Sequence, residues 1–173
     1  MAIIKTDVKQ KTIKNKVSLT GVGLHTGKEV SLTFLPASAN TGFSFKRIDL
    51  EGSPVIEADA CYVTNTQRGT CLEKNGVIIQ TSEHVLAALV GMDIDNIIIQ
   101  LNAAEPPIMD GSSKFFVEAL EKAEVIEQDD FREEYVVSDV ISYNDEDSGS
   151  EIIVMPCKEY QVTAMVDSGS LIL

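Results

Sequence analysis

The sequence predicts an α+β fold, mostly strand with two helices, and three observations carry that prediction. Short runs of alternating polar and apolar residues fill the first 80 positions. The period then changes to that of a helix at Thr81–Val90, and again at Ser112–Lys122. Between the two helices, Asn96-Ile97-Ile98-Ile99-Gln100-Leu101 is a near-continuous apolar run, the pattern of a strand buried on both faces.

Taken in order, Thr12–Thr20 alternates with Ile13, Val17 and Leu19 as its apolar set, and Val30–Leu35 alternates more cleanly until Pro36. A glycine-rich connection, Gly21-Val22-Gly23-Leu24-His25-Thr26-Gly27, joins these two strands. Phe43–Phe45 reads as a third strand, followed by Ala60–Val63, Thr70–Leu72 and Val77–Ile79, the last two joined by the hairpin signal Asn75-Gly76. Thr81 is expected to cap the first helix, with Val85, Leu86, Leu89 and Val90 as its apolar stripe and Gly91 as its stop. Ser112 or Ser113 caps the second helix, which carries Phe116, Leu120 and Ala123 inward and an exposed Glu118–Lys122 pair outward. Glu124–Glu134 is acidic and poor in apolar residues, the composition of a linker. Strand-like runs follow at Tyr135–Tyr143, Glu151–Met155 and Tyr160–Val166, with Asn144–Ser150 as a solvated turn. The expected division is therefore a first domain over 1–126, a linker over 127–134 and the opening strands of a second domain over 135–173.

Composition narrows the function. The chain has 173 residues, 44% hydrophobic and 24% charged, which is ordinary for a globular protein. Its net charge of −13 is unevenly placed: residues 1–47 hold eight Lys or Arg against two Asp or Glu, and the remainder holds six against 25. An acidic bulk without exposed aromatic stacking motifs argues against nucleic acid as a partner. The basic first segment suits either a solvated strand surface or an anionic small molecule. No apolar run approaches the roughly 20 residues that cross a bilayer, and Met1–Asp7 lacks the apolar core of a signal peptide, so the expected location is cytoplasmic. Cys61, Cys71 and Cys157 show no CxxC spacing and read as free thiols.

Three segments carry candidate chemistry. Glu83 and His84 stand side by side at a helix start: imidazole is the commonest metal ligand, and a neighbouring carboxylate can deprotonate a metal-bound water. The competing reading is a packed histidine and a glutamate that suits the helix dipole. The three glycines of Gly21–Gly27 imply a tight backbone path or close approach to a ligand, and an ordinary β-turn is the competitor. Glu105-Pro106-Pro107-Ile108-Met109-Asp110-Gly111-Ser112 is stiffened by two prolines, and its acids are expected to order a neighbouring loop.

Ser18–Gly27, Thr81–Leu89, Asp95-Asn96 and Glu105–Ser112 together resemble, in order and spacing, the signature segments of the UDP-3-O-acyl-N-acetylglucosamine deacetylase family. The resemblance covers most of residues 10–125. It implies a two-layer sandwich of a mostly antiparallel β-sheet with two helices, followed by an incomplete second domain of the same plan. It also implies a zinc-dependent amidase of lipid A biosynthesis in the Gram-negative cytoplasm, removing acetate from a UDP-linked, 3-O-acylated glucosamine. Carried onto this chain, Glu83 is the general base and His84 the first zinc ligand. Leu24 and His25 line the substrate groove, and Arg68 falls in a loop near the metal. The family's other two zinc ligands lie on an H-x-x-x-D helix of the second domain. No such motif occurs here and no histidine follows His84, so a catalytically incomplete piece is expected. A non-catalytic UDP-sugar-binding or interaction module is the alternative. Some family members continue into a fused dehydratase domain.

Overall fold

A computed structural model describes residues 2–67 and 69–166. Asp7–Arg132 form one compact unit, and the described residues 2–6 and 133–166 belong to a second. The elements run β1 (Ala2–Ile13), β2 (Val17–Val22), β3 (Glu29–Pro36), β4 (Phe43–Arg47), β5 (Val55–Glu57), β6 (Val63–Asn65), β7 (Cys71–Lys74), β8 (Val77–Ile79), α1 (Glu83–Gly91), β9 (Ile97–Leu101), α2 (Lys114–Ala123), β10 (Val125–Val136), β11 (Ile141–Asp145) and β12 (Ser150–Val154). This is the α+β class that the periodicity predicts.

The core of the larger unit is a five-stranded sheet in the order β2-β3-β9-β4-β5. Its pairings are antiparallel except between β4 and β9, which run parallel. The alternation in β3 aims Val30, Leu32 and Phe34 at one face, and β9 aims Ile97, Ile99 and Leu101 the same way. Register then builds a row across the sheet: Phe34 opposes Ile99, Ile99 opposes Phe45, and Phe45 opposes Ile56, all four without exposed surface. Phe116 of α2 meets Phe34 edge-on, with ring centroids 6.5 Å apart and planes at 85°. A second sheet, β6-β7-β8, turns at Asn75 and Gly76, whose φ angles of 53° and 77° are those of the expected Asn-Gly hairpin.

Several expectations give way, each for a local reason. The run Thr12–Thr20 is two strands, because Lys14 and Asn15 turn their N–H groups to the carbonyls of Glu124 and Ala123. Ala60–Tyr62 is a 3₁₀ turn started by Asp59, whose carboxylate accepts from the Cys61 N–H, and only Val63 onward is strand. β5 has no counterpart among the expected strands. Thr81 does not cap α1; its φ is 51° and Ser82 occupies the cap position. The helix includes Gly91, and Asp93 takes the left-handed conformation after it at φ 57°. Its buried stripe is Val85, Ala88 and Leu89, with Val90 68% exposed. β9 alternates, with Ile98 and Gln100 only half-buried, so one face rather than both enters the core. On α2 the inward set Phe116, Leu120 and Ala123 is buried as expected, but Glu118 pairs with Lys114 at 3.9 Å. Ser112, not Ser113, supplies the hydroxyl that accepts from the Lys114 N–H.

The acidic stretch 127–134, expected as a linker, lies inside β10, which pairs with β1 in a two-stranded ribbon. Its inward contacts are polar, which is why composition conceals it. Gln128 donates to the Ala37 carbonyl and accepts from Asn96, and the Arg132 guanidinium holds Asp95 at 2.6 Å. Tyr135–Tyr143 breaks after Val136 and resumes at β11, which pairs antiparallel with β12. Nearly all of that hairpin is exposed. Tyr160–Val166 forms no strand. No helix among the described residues is long and apolar enough to cross a membrane.

The Phe34–Phe116 contact generates a test. Phe116→Ala opens the seam between α2 and the sheet, and urea unfolding is expected to show a loss of about 3–5 kcal/mol.

Candidate functional site

The polar centre of the larger unit is Glu105, which follows β9 and has no exposed surface. A carboxylate removed from water needs donors on both oxygens. Its Oε1 accepts from the His25 N–H at 3.1 Å and the Thr81 hydroxyl at 3.0 Å. Its Oε2 accepts from the His25 and Thr26 N–H groups at 3.1 and 3.0 Å, and from the Thr26 hydroxyl at 3.0 Å. Burial pushes its pKa up, but the donors from His25, Thr26 and Thr81 outweigh that and hold it below the usual carboxylate range. The expectation that this acid orders a neighbouring loop is met, and the loop is the glycine-rich one between β2 and β3.

The glycines of that loop are explained by the same contact. A Cβ on Gly23 would strike the Thr26 hydroxyl and the Glu105 carboxylate, and one on Gly21 would lie 2.9 Å from Pro107 Cβ. The close approach is to the chain's own Glu105–Ser112 segment, and Ile108 seals it by donating its N–H to the Val22 carbonyl at 2.9 Å. Leu24, at 54% exposure, and His25 stand outward on this held loop.

Glu83 and His84 open α1 and are half-buried. The Glu83 Oε2 accepts from the Thr70 N–H at 2.9 Å, and Ser82 donates its hydroxyl to the Thr70 carbonyl at 3.1 Å. The carboxylate is thus fastened to the segment just before β7, leaving a second oxygen for other chemistry. The His84 carbonyl accepts from the Ser113 hydroxyl at 2.9 Å, which ties the first turn of α1 to the start of α2. A cavity of about 190 Å³ is lined by His25, Asn65, Gln67, Cys71, Gln80 and Thr81, together with Gly69. A Cβ on Gly69 would lie 3.3 Å from Glu83 Oε1. Glu83, His84 and Leu24 are not among its lining residues. Arg68 lies outside the described residues.

Of the lining residues, the loop Gln67–Gly69 and Thr81 fall in segments that the sequence singles out, whereas Asn65, Cys71 and Gln80 do not, because isolated small polar residues carry no spacing signal. Burial, followed by the carboxylates of Glu73 and Glu83, pushes the Cys71 thiol up, which keeps it protonated and weakly nucleophilic at neutral pH. Asn96 serves the frame: it is 1% exposed, accepts from the Gly42 N–H, and donates to Gln10 and Gln128. A catalytic zinc takes three protein ligands. Among the described residues no group of three His, Cys, Asp or Glu is placed to hold a metal. His84 offers one imidazole, so the described residues alone do not make a zinc centre.

Glu105→Gln keeps the shape of the hub and removes its charge, and is expected to cost about 1–3 kcal/mol at neutral pH. The folded pKa of Glu105 is depressed, so its contribution is fully present above the unfolded value of about 4.3 and is lost as pH falls through the folded one. Denaturant unfolding between pH 7 and pH 3 is therefore expected to show the gap between wild type and Glu105→Gln closing on acidification. A gap that stays constant over that range contradicts the charged hub.

Comparison with known proteins places the chain in a family. Residues 10–172 match the family model described as UDP-3-O-acyl N-acetylglycosamine deacetylase, LpxC. The chain is 45% identical over 166 residues to a bifunctional enzyme LpxC/FabZ of Bacteroides thetaiotaomicron, covering 96% of this chain and 36% of that protein. It is 48% identical over 122 residues to a UDP-3-O-acyl-N-acetylglucosamine deacetylase of Cellvibrio japonicus, covering 70% of this chain and 40% of that one. With the deacetylase of Saccharophagus degradans, identity is 39% over 160 residues, covering 92% and 52%. The chain thus spans between about a third and a half of the length of these relatives. A match of this extent, over segments that include Gly21–Gly27, Glu83-His84 and Glu105, makes the chain a member of the UDP-3-O-acyl-N-acetylglucosamine deacetylase family.

Proposed function

We propose that this chain supplies the general base, one metal ligand and one wall of the substrate groove to a deacetylase acting on UDP-3-O-(3-hydroxyacyl)-N-acetylglucosamine. That reaction is the committed step of lipid A biosynthesis, carried out in the cytoplasm. The observation that carries the reading is the joint placement of two loops by one buried carboxylate. Glu105 holds the His25 loop and, through Thr81, the chain that leads into Glu83 and His84.

Glu83 is suited to the base role because one oxygen is anchored by the Thr70 N–H while its position on the first turn of α1 is rigid. In amide hydrolysis it takes the proton of the attacking water and returns it to the departing amine as the C–N bond breaks and acetate leaves. His84 is assigned as one zinc ligand, following the family. Because the described residues present no complete donor set, no step is drawn through the metal. Leu24 and His25 are assigned to the groove, and Arg68 to the loop near it.

The architecture fits the same proposal. Contacts of α2 with β2, and of α1 with α2, support a sheet covered on one face by two helices, the two-layer plan of the family. The β11–β12 hairpin is assigned to the start of a second domain of that plan. Relatives named bifunctional LpxC/FabZ support a fused dehydratase in the full-length gene product.

The test uses the full-length gene product and direct measurement of released acetate. Glu83→Ala is expected to lower turnover by about 10²–10⁴ with zinc still bound, and His84→Ala to lower the bound zinc itself. Undiminished turnover in Glu83→Ala sinks the assignment.

A further inference from the structure

Thr81 is β-branched, only 5% exposed and held at φ 51°, a conformation that such residues rarely adopt. Strain of this kind persists only where the surroundings over-determine it. Here the fastening is continuous. The Thr81 hydroxyl donates to Glu105 Oε1, the Ser82 N–H and hydroxyl donate to the Thr70 carbonyl, and the Thr70 N–H returns to the Glu83 carboxylate. On its other side Glu105 takes the backbone of His25 and both donors of Thr26.

We propose that Glu105 and Thr81 are positioning residues, and that the carboxylate branches. Through Thr81 it aims the Glu83 carboxylate, and through His25 and Thr26 it sets the groove wall. This inference rests on the deacetylase reading above and deepens it, because it divides the two kinetic constants between two sets of hydrogen bonds. The division follows from the two threonines: the Thr81 hydroxyl reaches only Oε1 and the Thr26 donors reach only Oε2, while the His25 N–H spans both oxygens. Removing the Thr81 hydroxyl takes one donor from Oε1 and leaves every bond at Oε2 in place; removing the Thr26 hydroxyl does the reverse. A displaced base weakens the transition state alone and lowers kcat. A displaced wall that touches bound substrate before and during the reaction raises KM.

The experiment measures steady-state acetate release by the full-length gene product, with rates normalised to folded, zinc-loaded enzyme. Thr81→Val keeps the size and branching of the side chain and is expected to lower kcat about 10- to 100-fold with KM near wild type. Thr81→Ser keeps the hydroxyl and is expected to stay near wild type. Thr26→Val is expected to raise KM about fivefold with kcat near wild type, and Glu105→Gln to move both constants. Should Glu105→Gln fail to fold, the two threonine variants still decide. Wild-type kcat in Thr81→Val, failure of Thr81→Ser to restore it, or equal movement of both constants in either threonine variant overturns the inference. A wild-type protein that releases no acetate sinks the deacetylase reading and this inference with it.

Discussion

A carboxylate taken out of water has to be met on both oxygens, and Glu105 is met by two segments distant from it in sequence. Its donors come from the loop after β2 and from the residue two before α1, while Glu105 itself follows β9. Each donor hydrogen-bonds an ionised group, which is worth roughly twice a neutral bond. The bond from Thr81 also satisfies a hydroxyl on a residue only 5% exposed. The stiffness of the site is thus a by-product of solvating one charge without water.

The sheet beneath serves that purpose by geometry. β9 lies between β3 and β4, so the chain leaving its end at Leu101 emerges close to the β2–β3 turn, whose strand β3 is its neighbour. The two prolines then carry Glu105–Pro107 against Gly21. The glycines are required because the segment packs where side chains would stand. The same logic applies at the other edge of the core, where the buried Asn96 amide joins Gly42, Gln10 and Gln128. Two polar hubs, one ionic and one neutral, flank an apolar row that has no polar atoms of its own.

Much of this was legible in the residues. The alternation of Val30–Phe34, the Asn75-Gly76 turn and the inward set Phe116, Leu120 and Ala123 were readable because their period reports directly which face meets the core. The role of Glu105 as a loop organiser was readable because two prolines stiffen its segment and Asp110-Gly111 turns it, which marks a fixed loop. What stayed hidden was of another kind. Thr81 looks like a helix cap, and only the tertiary partner Glu105 explains why its hydroxyl is used elsewhere. β10 looks like a linker, since Gln128 and Arg132 do inward work that apolar residues usually do. Much of the cavity lining has no pattern in sequence, because its members are brought together from separate loops and strand ends.

The parallel pairing of β4 with β9 has a consequence for how the molecule comes into being. Phe45 finds Ile99, and Phe34 finds Ile99 from the other side, only after α1 and the second sheet have been made. Contacts so remote along the chain carry a loop-closure cost before they return any burial, and such topologies fold slowly. During synthesis β3 and β4 must therefore wait, with apolar faces uncovered, until Leu101 has left the ribosome. Until then those faces are uncovered apolar surface, the kind of surface through which partly made chains associate.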